Sequence, residues 1–273
     1  MGTARAAVAV ALLWSLTVPA TASAQAPPPP RPSPIEIDGA TYVEFDESTG
    51  VWRIEGAPVT ITRGRTVLKA ARGRFDQRAG VVTAESGVEV TEPGVAVRAD
   101  AVELRLADDR LRARGNVLLT SMRDDQIATL RAPEVDGSLR TRRFTAREGV
   151  SLARGEVTMT GRRLDYDDAE RVAVVTGEPV VRFKDGTMTA EVVTLLLARD
   201  LVRGDGSARL RRGDLSGSAR RVDLHLRDGL ATLLGEARVE RGRDRIEADD
   251  IQVALDGSSV TARGTSRMTV VPP

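Results

Sequence analysis

The pattern of apolar and polar positions along most of the chain is that of β-strands. Apolar residues alternate with polar ones in short windows such as 102–106, 222–226 and 251–255. Alternation with a period of two places one set of side chains on one face of a strand. Clusters of Asp, Gly and Ser, as at 136–138 and 256–258, separate the windows and are typical of turns. No window beyond residue 24 predicts an amphipathic helix, so the pattern predicts an all-β chain.

Two landmarks recur along the chain at fixed spacing. A small residue followed three positions later by an apolar one returns every 29 residues, at Gly161/Leu164, Ala190/Val193, Ala219/Val222 and Ala248/Ile251. A glycine follows each small residue by 16 positions, at Gly177, Gly206, Gly235 and Gly264. The same pair of landmarks can be traced back, with looser spacing between units, to Gly39. The sequence therefore predicts eight repeats of about 29 residues over residues 35–271.

The alternation changes parity at each small residue. Val95 and Val97 occupy odd positions before Ala99, whereas Val102 and Leu104 occupy even positions after it. In a flat strand these two sets would lie on opposite faces. A bulge or corner that inserts one extra residue into the strand near the small residue returns both sets to one inner face. We expect arms that bend there, strands interrupted at these corners, and an elongated, twisted two-sheet β-roll or β-jellyroll with an apolar interior.

The amino terminus has the features of a targeting segment. Arg5 precedes an apolar run at residues 6–18, and small residues at 22–24 fit a cleavage site. We interpret residues 1–24 as a cleavable signal peptide, residues 25–34 as a Pro-rich tether and residues 35–273 as the repeat domain. The rival interpretation of 1–24 is an uncleaved membrane anchor. Secretion through a cleavable signal predicts a periplasmic location.

Charge and composition exclude several classes of function. The chain carries 40 basic and 39 acidic residues, so that without Arg5 the two signs balance. A neutral chain is poorly suited to nucleic acid. The absence of cysteine excludes disulfides, thiolate metal sites and cysteine nucleophiles.

No arrangement of residues predicts catalysis, a cofactor or a metal site. The single histidine, His225, alternates with Leu224 and Leu226 and is expected to face solvent. Paired aspartates such as Asp167 and Asp168 lie at predicted turns, where turn formation explains them. No serine has the context of a nucleophile elbow. We therefore expect a protein that is not an enzyme and needs no cofactor.

The small-residue step at 99–104 and the arm at 111–117 resemble the OstA-like repeat of the LptA-like family. Proteins of that family form the periplasmic bridge of lipopolysaccharide transport. The resemblance covers residues 35–271. It implies a slightly twisted β-jellyroll, open along one seam, whose interior holds the acyl chains of lipopolysaccharide. It also implies partners of the same fold in the inner and outer membranes, and head-to-tail joining through terminal strands.

The candidate lipid-binding residues are apolar and share the predicted inner face. They are Phe75, Val102, Leu104, Val117, Leu164, Val193, Leu195, Leu224, Ile251 and Val253. The alternative for each is an ordinary packed core, which is the default for a protein interior. Basic clusters within 63–74 and 238–245 suit the phosphates of a head group, or else a solvated outer face.

The sequence thus predicts a periplasmic lipid-binding bridge protein that shields lipopolysaccharide, or a related glycolipid, between the inner and outer membranes. The alternative is a structural or adaptor β-solenoid of the cell envelope without lipid transport. Both require an apolar interior, which is the property the sequence pattern establishes.

Overall fold

The computed structural model describes residues 34–123 and 126–271. These ranges contain nineteen β-strands and one short 3-10 helix, joined by turns. The predicted signal peptide and all but the last residue of the predicted tether lie outside the described residues. The 3-10 helix is Leu197–Arg199. The prediction of an all-β chain is confirmed.

The strands follow one another closely, with short turns between them. Strands β1 to β10 are Ile35–Asp46, Val51–Arg63, Thr66–Asp76, Val81–Glu92, Val95–Arg105, Arg110–Arg123, Gln126–Ser138, Arg143–Arg154, Val157–Asp167 and Val172–Thr176. Strands β11 to β19 are Val180–Phe183, Gly186–Thr189, Val192–Leu196, Leu201–Arg212, Leu215–His225, Leu230–Arg241, Asp244–Ala254, Val260–Arg263 and Arg267–Thr269.

The described sheet is an antiparallel meander of sixteen arms. From β1 to β9, and again from β14 to β17, each strand pairs with the next. Three arms are split into two strands each. β10 and β11 both pair with β9, β12 and β13 both pair with β14, and β18 and β19 both pair with β17. Adjacent arms are hairpins, which need only the tight turns that the sequence supplies.

Each hairpin changes register near its middle, where the sequence predicts a corner. Between β5 and β6 the pairing shifts between Arg98 and Ala101. On β6, Gly115 and Asn116 both have positive φ, of 71° and 48°. The backbone therefore turns through two successive left-handed residues on the arm that carries the glycine. The same pairs recur at Ser86–Gly87, Glu148–Gly149, Gly177–Glu178, Gly206–Ser207 and Gly235–Glu236.

The prediction that the strands are interrupted at the small residues is mostly wrong. The strands run unbroken through Ala99, Gly161, Ala219 and Ala248, and of the five predicted interruptions only the one at Ala190 coincides with a break. Pairing resumes within a few residues on either side of the shift, so the corner bends the ladder without ending it. Glycine is needed at position 115 because a Cβ there would lie 2.3 Å from Asp100 Oδ2.

The corners also explain the constant spacing of 16 residues. Asn116 Nδ2 donates to Asp100 Oδ2 at 2.9 Å. Arg162 donates to Glu178 at 2.9 Å, again across 16 positions. The same separation joins Ser207 to Glu191, Arg220 to Glu236 and the Thr265 amide to Asp249. At these five corners, therefore, the residue after the small residue contacts the residue after the next corner glycine.

The core runs along the inner face of the bent arms. On β5, Val95, Val97 and Ala99 are buried before the corner, and Val102 and Leu104 are buried after it. Similar sets on neighbouring arms join one apolar cluster that extends from Ile54 to Val253. The change of parity therefore returns both halves of an arm to the same inner face. The outer face carries mostly polar and charged side chains, many of them in ion pairs.

Candidate functional site at the seam

The turns of the meander form two rows, one at each end of the arms. Row A contains the turns that follow β1, β3, β5, β7, β9, β13, β15 and β17. Row B contains those that follow β2, β4, β6, β8, β11, β14 and β16. Arg63, at the start of row B, donates to the Leu106 carbonyl and to Asp109, both in row A, at 2.9 and 3.0 Å. The two rows therefore meet along a line that we call the seam.

Hydrogen bonds and ion pairs close the seam at several further points. Arg142 in row A donates to the Pro93 carbonyl in row B at 2.6 Å. Arg154 at the end of β8 forms an ion pair with Asp200 in row A at 2.8 Å. The Arg154 side chain is only 10% exposed, so this pair is largely shielded from water. Each contact joins a turn of row B to a turn of row A that lies further along the chain.

Asp168 is the most buried of these seam residues, with 2% of its surface exposed. Its carboxylate accepts hydrogen bonds from Ser121 Oγ at 2.8 Å, Tyr166 OH at 2.7 Å and Arg142 Nη1 at 3.0 Å. Burial opposes ionisation and is the largest influence on the pKa of Asp168. The three hydrogen bonds and the Arg142 charge outweigh it, so the pKa lies below its ordinary value. We call this group the Asp168 cluster.

Beyond the Arg154–Asp200 pair the two rows separate and leave a groove of about 1060 Å³. One wall is formed by the start of β7 and the row B turns after β8, β11 and β14, and the other by the row A turns after β13, β15 and β17. We call it the seam groove. Its apolar lining comprises Ile127, Val157, Phe183, Leu226, Leu230, Ala254 and Leu255. Val157 and Phe183 are deeply buried, whereas Ile127 is half exposed.

The rim of the seam groove is charged. Arg212 donates to Asp185 at 2.8 Å, and this hydrogen bond lowers the pKa of the Asp185 carboxyl. Hydrogen bonds from Ser258 lower the pKa of Asp256, and the Arg212 charge contributes to the same shift. Lys184 is exposed and makes no ion pair with the described residues. The groove thus combines an apolar floor with a rim that is ionised at neutral pH.

The ten residues predicted to bind lipid lie elsewhere. Nine are buried in the core, and Phe75 is half-buried against it. Their inward orientation agrees with the sequence pattern, but none of them lines the seam groove. Because their side chains already pack against one another, a lipid would reach them only if the arms moved apart at the seam. Contact between these ten residues and lipid stays a prediction.

Sequence reasoning missed the residues of the groove. Leu226 and Leu255 are the last apolar positions of the alternating windows 222–226 and 251–255 and lie just after the ends of β15 and β17, where each donates its amide to a row A carbonyl. The signal was present as an apolar residue that continues the alternation past the end of the strand, shortly before an Asp-Gly turn. The predicted basic clusters are partly neutralised, since Arg63 pairs with Asp109, Arg238 with Glu247 and Arg245 with Glu240.

Both ends of the described sheet expose apolar residues. On β1, Ile37 and Val43 lie opposite the buried Ile61 and Ile54 and therefore face inward, yet they are 36% and 52% exposed. At the other end Met268 is 65% exposed. No further arm among residues 34–123 and 126–271 covers these inner faces, and within those ranges one edge of β1 is unpaired.

Two classes of site are not found among the described residues. No group of three or more His, Cys, Asp or Glu side chains there could hold a metal ion. No helix in those parts of the chain is long and apolar enough to cross a membrane.

Comparison with known proteins finds similarity among solved structures only. No protein-family model matches the sequence, and no curated protein matches it. Among solved structures, the chain is similar to the crystal structure of LptH from Pseudomonas aeruginosa, described as the LptA homologous periplasmic component of the conserved lipopolysaccharide transport device. The match covers 42% of this chain and 95% of that one, at 18% identity and a TM-score of 0.40. It is a distant likeness in fold over less than half of this chain.

Proposed function

We propose that the protein is a periplasmic lipid-binding bridge that carries lipopolysaccharide or a related glycolipid from the inner to the outer membrane. It acts by binding and not as an enzyme. The observation that supports the proposal is the seam groove, in which an apolar floor lies beneath a charged rim. Acyl chains would lie along Phe183, Leu226 and Leu255, and the polar head group would stay at the rim.

The dimensions and chemistry of the groove suit an amphipathic ligand. Its volume of about 1060 Å³ is at the upper end of ordinary ligand sites, which span roughly 300–1,000 Å³. Each methylene of a chain transferred from water to such a floor contributes about 0.8 kcal/mol. Lys184, which makes no ion pair with the described residues, offers a cation at the rim to a phosphate or carboxylate.

The two ends of the sheet support the role of a bridge. β1 carries the acidic residues Glu36, Asp38, Glu44 and Asp46 and no basic ones, whereas β18 and β19 carry Arg263 and Arg267 and no acidic ones. An acidic edge and a basic edge favour head-to-tail pairing over pairing of like ends. Partners of the same fold could extend the sheet and its inner face in both directions.

Mass spectrometry of bound lipid, on the full chain purified from the periplasm of a glycolipid-producing host, tests the proposal. We expect the wild type to carry glycolipid and the double variant Leu226→Glu/Leu255→Glu to lose it. Leu106→Glu is the matched control. Leu106 occupies the equivalent position after β5 and also donates its amide to a row A carbonyl, but it lies where Arg63 closes the seam. Wild type free of lipid, or lipid retained by the double variant, would refute binding in the groove.

One observation favours a second function, that of a structural or adaptor β-solenoid. The core is tightly packed, with Leu111, Leu164 and Leu224 completely buried, and needs no ligand to fill it. If this is the function, purified wild type should carry no lipid. Groove variants should then restore the cell envelope of a strain lacking the protein as well as wild type does. Lipid-loaded wild type together with groove variants that fail to restore it would favour the bridge.

A further inference from the structure

A group of arginine and hydroxyl side chains lies on the outer face of the sheet, on the row B half of β11, β12, β14 and β15. Thr187 on β12 lies opposite Arg182 on β11 and opposite Arg211 on β14. Thr189 lies opposite Arg209 in the next row. Ser216 and Ser218 on β15 continue the two rows. We call these seven residues the arginine–hydroxyl patch.

The three arginines of the patch make no ion pair with any described residue, although the carboxylates around them do. Arg182, Arg209 and Arg211 are all exposed. The surrounding carboxylates are already engaged, Glu240 by Arg245 at 2.7 Å, Glu247 by Arg238 at 2.6 Å and Asp185 by Arg212 at 2.8 Å. Within the described parts of the chain these three positive charges therefore have no ion-pair partner, on a face where many other arginines have one.

The surface of the patch is concave. A hollow of about 380 Å³ is lined by Arg209, Arg211 and the hydroxyl residues of β12 and β15, and on its β16 side by Arg238 and Glu240. Ser216 and Ser218 give this part of β15 short side chains on the outer face, whereas arginines stand at the edge of the hollow. The hollow lies on the face opposite the core, separate from the seam groove.

We propose that the arginine–hydroxyl patch binds a phosphorylated saccharide. Guanidinium groups bind phosphate through paired hydrogen bonds, and Thr and Ser hydroxyls both donate to and accept from sugar hydroxyls. Arg182 and Arg211 lie two strand spacings apart, roughly 9.6 Å, so each can hold one phosphate of a bisphosphorylated sugar. No aromatic side chain belongs to the patch, which disfavours single-stranded nucleic acid, whose bases need stacking platforms.

Isothermal titration calorimetry at low salt tests the site on the full mature chain. The probes are fructose 1,6-bisphosphate, unphosphorylated fructose and inorganic phosphate. We expect the bisphosphate to bind at least tenfold more tightly than inorganic phosphate, and fructose not to bind. Arg209→Gln/Arg211→Gln should weaken bisphosphate binding at least tenfold.

The matched control is Arg72→Gln/Arg74→Gln. It removes the same charge at the same spacing from β3, where Arg72 lies between Glu55 and Glu85. We expect the affinity for the bisphosphate to change less than twofold in this control and in the groove variant Leu226→Glu/Leu255→Glu. The groove variant thus distinguishes failure of this site from failure of the proposed function. Equal affinity for inorganic phosphate and the bisphosphate, or an equal loss in both arginine double variants, would overturn the proposal.

Discussion

Replacing Asp168 by Asn should destabilise the protein by loosening the seam. The substitution keeps the shape and one acceptor oxygen of the side chain but removes its charge. Arg142, 3.0 Å away, then loses the carboxylate that balances it. Ser121 and Tyr166 keep an acceptor, but a neutral one, so the hydrogen bonds to position 168 weaken.

The expected loss is about 2 kcal/mol. Breaking a fully buried ion pair costs about 3–5 kcal/mol, because one charge is left without a partner. The Arg142 side chain is 34% exposed, so water compensates for part of that loss. For a chain of this size a loss of 2 kcal/mol lowers the melting temperature by about 4–8 °C.

The loss should depend on pH in a defined direction. The folded pKa of Asp168 lies below its ordinary value of about 3.9 in an unfolded chain. The carboxylate therefore stabilises the fold fully above that value, and the stabilisation disappears as the pH falls through the lower folded pKa. The difference between wild type and Asp168→Asn should be constant from about pH 5 to pH 8 and shrink below about pH 4.

Urea unfolding followed by circular dichroism, at pH 7 and at pH 3, measures both effects. Asp165→Asn is the matched control. Asp165 is also hydrogen-bonded to an arginine, Arg163, but its side chain is 44% exposed, so its loss should be below about 1 kcal/mol. An Asp168→Asn variant as stable as wild type at pH 7, or a difference that is unchanged at pH 3, would refute the role of the buried charge.

Three further outcomes follow from the fold. Gly115→Val, at a left-handed corner against Asp100, should lower the free energy of unfolding by about 2–3 kcal/mol, whereas Gly213→Ala, whose added Cβ meets open space, should lower it by about 1 kcal/mol. Similar losses for the two variants in urea unfolding would contradict the corner geometry. Leu195→Asp places a charge in the core and should abolish the folded far-ultraviolet spectrum, since several kcal/mol are lost; a native spectrum would contradict the packing. The acidic β1 edge and the basic β18–β19 edge should produce head-to-tail association that strengthens with concentration and weakens in 0.5 M salt; sedimentation of a monomer at every concentration would contradict it.

The interior could be predicted from the sequence because it depends on local periodicity. Alternation assigns Val95 and Val102 to a face without knowledge of any distant residue. The change of parity at Ala99 then requires one extra residue in the ladder, and the structure has its register shift there. The glycines were found by spacing, but their role as left-handed residues at the corners was not. That role depends on which of the two paired strands carries the left-handed residues of the bulge. This choice depends on the pairing with the neighbouring arm.

The seam and the outer patch depend on the tertiary structure alone. Arg154 and Asp200 are 46 positions apart and belong to opposite rows of turns, so only the bend of the arms and their stagger bring them together. Phe183 and Leu255, 72 positions apart, line the groove from opposite rows for the same reason. On the outer face, Arg182 and Arg211 are neighbours only through Thr187. The sequence determines which residues face inward, because that is a property of each arm; the groove and the patch arise from pairing between arms, which is a property of the folded sheet.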